Sequence, residues 1–134
     1  MASSKTVRRI GAAALVLPAG DHLISPTLTM IFAPQIMTMM FGAAGAIPTA
    51  IFFVTLGLFQ FAWVVVLLKS KNQILLTIGV LVNLSSIAIY FISTAGVTIP
   101  PGVPPQPLIS FGVLIKALEA IFIVASIHTM KKAD

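Results

Sequence analysis

The chain alternates long apolar blocks with short polar breaks, and the blocks have the length of membrane spans. A helix crossing the hydrocarbon core of a bilayer needs about 20 mostly apolar residues. Residues 48–68 meet that requirement, interrupted only by Thr49, Thr55 and Gln60, and Pro48 suits a first helical turn. Residues 74–94 meet it with Asn83, Ser85 and Ser86 near the middle, and residues 109–129 meet it while carrying Lys116 and Glu119. The short link 69–73 joins the first two of these blocks and predicts an antiparallel hairpin.

The N-terminal third is less regular. Its pattern predicts a helix over about 6–24, kinked at Pro18, with Asp21 and His22 near its far end and Ser25-Pro26 as a stop. Residues 27–46 are too broken by Pro34, Gly42 and Gly45 for a clean span, yet too apolar for a solvated loop. They read as an outer interfacial segment packed against the bundle; the alternative carries the first helix on to Phe32 as a long, tilted span. Residues 95–107 hold Pro100, Pro101, Pro104, Pro105 and Pro107 with no charge, which predicts a stiff Pro-rich outer loop. The expected fold is all-α, an integral membrane four-helix bundle forming a single domain. No internal repeat of the kind typical of secondary transporters is visible.

Composition points the same way. Apolar residues make up 58% and charged residues 8% of the chain, against about 25% charged residues in soluble domains. Eight basic and three acidic side chains cannot cover the surface of a soluble protein of 134 residues. Membrane lipid, with other integral membrane subunits as expected partners, must solvate most of it. The net charge of +5 does not indicate a nucleic-acid partner. Lys5, Arg8, Arg9, Lys131 and Lys132 sit at the termini and Lys69 and Lys71 in one link, so no basic stripe forms. There is no cysteine, which removes disulfides, thiolate metal sites and cysteine nucleophiles.

Charge also sets the expected orientation. Lys5, Arg8 and Arg9 before an apolar run resemble a signal peptide, but Leu17-Pro18-Ala19 lacks a proper cleavage pattern, so the run reads as an uncleaved first helix. With four spans, all seven of those basic residues fall on one side, while 25–47 and 95–108 contain no Lys or Arg. The positive-inside rule then places both termini in the cytoplasm of a multi-pass cell-membrane protein.

Few side chains can carry chemistry. Lys116 and Glu119 are three apart, hence on one helix face. At 1.5 Å per residue they lie about 10 and 15 Å from the outer end of their helix, near the bilayer centre. Ionised groups are costly at such depth, face the interior of an assembly, and mark either a self-neutralising packing pair or an ion or proton path. The packing pair is the expected reading. Gln60 and Asn83 reach a similar depth and would join Glu119 in a polar layer across three helices, chiefly as structural glue. Asp21 is a candidate cross-helix partner for Lys116, and His22 a candidate metal ligand or proton shuttle. A single Asp-His step lacks the repeated spacing of a specific metal site, and His128 is explained by its place at a helix C-terminus. Met30, Met37, Met39 and Met40 together with His22 have the ligand chemistry of a copper(I) site, but methionine is also a flexible apolar filler, and packing is the expected role. No cofactor is implied, no catalytic motif is present, and an enzyme acting on its own is not expected.

From Gln60 onward the chain resembles a class of small prokaryotic four-helix membrane proteins. The resemblance rests on Asn83, on Ser93-Thr94-Ala95-Gly96-Val97-Thr98-Ile99-Pro100-Pro101-Gly102 and on Glu119, and covers about half the chain. It is also similar to the accessory subunits of membrane-bound copper monooxygenases such as ammonia monooxygenase, although no residue matches a monooxygenase copper motif. That likeness implies a non-catalytic accessory subunit of a multi-subunit membrane complex. The alternative is a small transporter or channel component, for a metal or small molecule, using the Lys116/Glu119 pair.

The basic asymmetry makes a direct prediction. Reporter fusions should place 69–73 and the C-terminus in the cytoplasm and Val103 outside; a Val103 fusion active only in the cytoplasm would overturn the topology.

Overall fold

The computed structural model describes residues 3–97 and 109–132. Among them the chain is all-helical: α1 is Ser4–Phe32, α2 Pro34–Lys69, α3 Gln73–Thr94 and α4 Ser110–Lys131. All four are long and apolar enough to cross a membrane, which fits a multi-pass membrane protein. The Pro-rich loop expected over 95–107 lies outside the described residues from residue 98 onward.

Two expectations for the N-terminal third are corrected. The first helix does not stop at residue 24 but continues through Pro18 and Pro26 to Phe32, as the alternative reading had it. Proline deprives a helix of one hydrogen bond without always ending it, and both prolines are buried, so packing holds the helix across them. Its end comes at Ala33, the residue before Pro34, where proline sterics disfavour the α conformation.

The expected interfacial segment 27–46 is therefore divided between α1 and α2. Within α2 the backbone breaks at Gly42, whose φ of 72° and ψ of 162° belong to a region essentially reserved for glycine. Residues 34–41 form a short helical arm before that break. Its Met37 and Phe41 are buried against Ala46 and Ala50 of the long half of α2, with Met30 and Phe53 alongside. The arm thus packs one face against the bundle, as expected of the segment, and leaves its other residues exposed.

The helices run around the bundle in chain order. α1 packs mainly on α2 and then on α4, α3 packs on α4, and the α2–α3 seam is only lightly packed. The hairpin expected from the 69–73 link thus has little side-by-side packing. The start of α1, the end of α4 and that link share one end, here the basic end. Arg8 fastens it: Nε donates to the Leu67 carbonyl at 2.6 Å and Nη2 to the Ser70 carbonyl at 3.0 Å. Those carbonyls belong to the C-terminus of α2, where helix carbonyls lack intrahelical donors. Beneath Arg8, the bundle is sealed by Ala12, Leu15, Leu67, Leu76, Phe122 and Ala125.

Polarity is distributed unlike that of a water-soluble bundle. The interior holds His22, Gln60, Asn83, Ser86, Lys116, Glu119, Ser126 and Thr129, while large apolar side chains such as Ile51, Ile74 and Val124 are exposed. Close helix approach makes room for these polar groups to meet. At Gly57 a Cβ would stand 2.7 Å from the Leu23 backbone nitrogen and 2.8 Å from the Ala19 carbonyl oxygen, so α1 and α2 touch backbone to backbone.

That contact yields a prediction. Gly57→Val should lower stability in detergent by about 1–3 kcal/mol, the usual range for overpacking. Gly20→Ala, where a Cβ meets nothing within 4 Å, should be neutral or raise it by up to about 1 kcal/mol. Thermal unfolding of both variants checks the contrast.

Candidate functional site

Midway along the bundle, each helix contributes to one buried polar network. On α1 the inward stripe runs through Leu15, Ala19 and His22, and on α2 through Ala50, Gly57 and Gln60. On α3 it runs through Leu76, Gly79, Asn83, Ser86 and Ser93, and on α4 through Lys116, Glu119, Phe122, Ser126 and Thr129. Spacings of three and four keep each set on one face.

Glu119 lies at the centre, with no exposed surface. Its Oε1 accepts hydrogen bonds from Lys116 Nζ at 3.0 Å, Gln60 Nε2 at 3.0 Å and Ser86 Oγ at 3.3 Å, and its Oε2 accepts from Lys116 Nζ at 3.2 Å. Lys116 Nζ also donates to Ser86 Oγ at 2.8 Å. An ammonium has three N–H donors, and three acceptor atoms surround this one. Its charge is thus paired within its own helix.

The direction of the amide and imidazole hydrogen bonds in the network follows from one backbone carbonyl. The Gly79 carbonyl only accepts, so Asn83 presents Nδ2 to it, at 2.9 Å. Asn83 Oδ1 then faces Gln60 and takes Nε2 at 2.9 Å. With its amide nitrogen committed to Asn83 and Glu119, Gln60 turns Oε1 toward His22, 2.8 Å from Nδ1. The proton therefore sits on His22 Nδ1, and Nε2 has no hydrogen-bond partner among the described residues. The imidazole is stacked on Phe53 with ring centroids 5.5 Å apart.

A cavity of about 600 Å³ opens from this network toward the end of the bundle opposite the basic one. His22, Ser86 and Lys116 form its floor. Phe52, Phe53, Tyr90, Phe111 and Ile115 supply apolar walls, and the 34–41 arm contributes Ile36, Met37, Met40 and Phe41. Ser25, Thr29, Thr49 and Ser93 add hydroxyls. Such a space lies within the roughly 300–1,000 Å³ of ordinary small-molecule pockets, and its mixture of apolar walls and few polar groups is typical of them.

The structure thus brings together five of the six polar candidates: Lys116, Glu119, Gln60, Asn83 and His22. Asp21 lines the same cavity as Lys116 but makes no ion pair with it among the described residues. It is half-buried at the cavity wall and accepts from Ser25 Oγ at 2.7 Å, because His22 takes the inward position on that turn of α1. Of the methionines, Met37 and Met40 line the same cavity as His22, and Met30 packs against the Met37 cluster. Met37 is buried in the apolar cluster while Met39 is 79% exposed and points away. Among the described residues, no group of three or more His, Asp or Glu side chains is placed to hold a metal.

Ser86, Tyr90 and Ser93 belong to the site and were not singled out from sequence. Their spacing from Asn83, by three, seven and ten, is the signal that marks them as one face of α3. Compared with known proteins, the chain matches no family model, and no curated protein or solved structure is significantly similar to it.

Breaking the central pair should expose its cost. Lys116→Met or Glu119→Gln alone strands a buried charge and should destabilise the protein by about 3–5 kcal/mol, whereas the double variant should lose much less than the sum. Unfolding of the two singles and the double measures the coupling; additive losses would show that the pair is not coupled.

Proposed function

We propose that this protein is a non-catalytic, multi-pass membrane protein that takes up a small, largely apolar molecule, acting as a carrier component. In this reading lipid surrounds the exposed Ile, Leu, Val and Phe side chains, the basic end faces the cytoplasm, and the cavity opens outward. The observation that carries it is one-sided access. The outer half of the bundle holds a cavity ending on a buried charged network, and the other half is closed by Leu15, Leu67, Leu76 and Phe122, each without exposed surface. A carrier has this arrangement in one of its two states.

A simple packing core would have filled the space above Lys116 with side chains. The polar floor is also complete within the chain, so no neighbouring subunit is required to neutralise Lys116 or Glu119. A second reading, an accessory subunit of a larger membrane complex, is favoured by a different observation. The lightly packed α2–α3 seam carries an open groove lined by Leu56, Leu81, Val82 and Ser85, suited to a neighbouring helix.

The native chain has no cysteine, so single substitutions test access cleanly. A membrane-impermeant thiol reagent added outside should modify the S93C variant, at the cavity wall, and leave the S126C variant, in the closed half, unmodified. Equal labelling of both would sink the one-sided reading. Migration as a much larger particle in mild detergent, with S93C shielded, would favour the accessory subunit.

A further inference from the structure

We infer that the occupant of the cavity is a lipophilic monovalent cation, of the class of protonated primary or secondary amines with an apolar body. This rests on the small-molecule reading above and adds the chemical class.

Three observations converge. The first is charge. Lys116 is neutralised by Glu119 and its N–H groups are used by Ser86 and Glu119, so it has none to offer an anionic guest. Asp21 stands at the wall with Ser25 as its hydrogen-bond partner and, among the described residues, no cation within ion-pair distance. Besides His22, the ionisable groups facing the cavity or directly beneath its floor are Asp21, Lys116 and Glu119, and with the imidazole in its uncharged, Nδ1-protonated tautomer they leave one uncompensated negative charge. Residues 98–108, which lie outside the described set, contain no Lys or Arg to cancel it.

The second observation is hydrogen-bond polarity. The network puts a proton on His22 Nδ1, so in the uncharged imidazole Nε2 is an acceptor, without a partner among the described residues, on a residue that lines the cavity. Asp21 is an acceptor as well. A guest that supplies N–H donors fits both; a carboxylate or phosphate fits neither.

The third is the wall itself. Phe41, Phe52, Phe53, Tyr90 and Phe111 present aromatic rings around the space. Ring faces attract cations through their quadrupole, and aromatic walls beside one carboxylate are the usual means of holding an organic ammonium. Tyr90 already shows the preference, with Lys116 Nζ 5.7 Å from its ring centroid.

The test uses the full chain in dodecyl maltoside, an uncharged detergent, with equilibrium dialysis of four probes that share one hydrocarbon body. These are 4-phenylbutylamine, its trimethylammonium analogue, 4-phenylbutanol and 4-phenylbutanoate. The amine should bind at least tenfold more tightly than the alcohol and the carboxylate, and more tightly than the trimethylammonium, which lacks N–H donors. Asp21→Asn should remove that preference while leaving the alcohol unchanged, and Asp21→Glu should restore part of it. Added phosphatidylethanolamine should not displace the amine, which separates a free amine from a lipid headgroup. Ser93→Trp, which fills the cavity, should abolish binding of every probe. Alcohol or carboxylate binding as tight as the amine, or an amine affinity indifferent to Asp21→Asn, would overturn the cation class while the S93C labelling still upholds the cavity. Amine binding untouched by Ser93→Trp would place the guest elsewhere and overturn the cavity reading as well.

Discussion

A carboxylate without exposed surface is the constraint on which the rest of the bundle depends. Glu119 in its ionised form is tolerated in a low-dielectric interior only if donors surround it, and an isolated buried charge costs far more than any one helix contact returns. Lys116, Gln60 and Ser86 supply those donors from α4, α2 and α3, and His22 joins from α1 through Gln60. Four helices with apolar outer faces have little to choose between rotations about their own axes. The need to satisfy one carboxylate selects a single rotation for each. Gly57 lets α1 and α2 approach closely along the faces that carry His22 and Gln60.

The same network gives the bundle two unlike halves. Toward the basic end the inward stripes become Leu15, Leu67, Leu76 and Phe122, which pack together, and Arg8 closes that end on the carbonyls of α2. Toward the other end the inward residues are small, Ser86 and Ser93 on α3 and Pro26 on α1, while Gly112 on α4 makes room for the Tyr90 side chain. Small residues at core positions leave volume that the surrounding helices do not collapse to fill. The 34–41 arm adds part of the wall, and it reaches that position only because Gly42 adopts a backbone conformation closed to other residues. A polar floor, an aromatic wall and one half-buried carboxylate then give the space a chemical character, and the proposed carrier role and cationic guest both follow from that character.

What could be read from the sequence is what depends on local pattern. Span length and hydropathy identified the helices that became the long half of α2, α3 and α4, because a helix needs only its own residues to satisfy its backbone. Three-residue spacing put Lys116 and Glu119 within reach of each other, because both lie on one helix and no other element intervenes. Even the polar layer of Gln60, Asn83 and Glu119 was legible, since counting residues from a common end gives similar depths.

Tertiary structure decided the rest. Whether Pro26 ends α1 is a contest between one lost hydrogen bond and the packing around a buried ring, and only the neighbours settle it. That the 34–41 segment would pack against the bundle could be expected, but which side chains do so could not: Met37 and Phe41 meet Ala46 and Ala50, with Met30 alongside. Asp21 and His22 are adjacent in sequence, so sequence alone could not say which faces the core. The α1–α2 contact turned His22 inward and left Asp21 at the cavity wall. The cavity itself has no sequence signature, because empty volume belongs to no residue and arises only where small side chains from different helices meet.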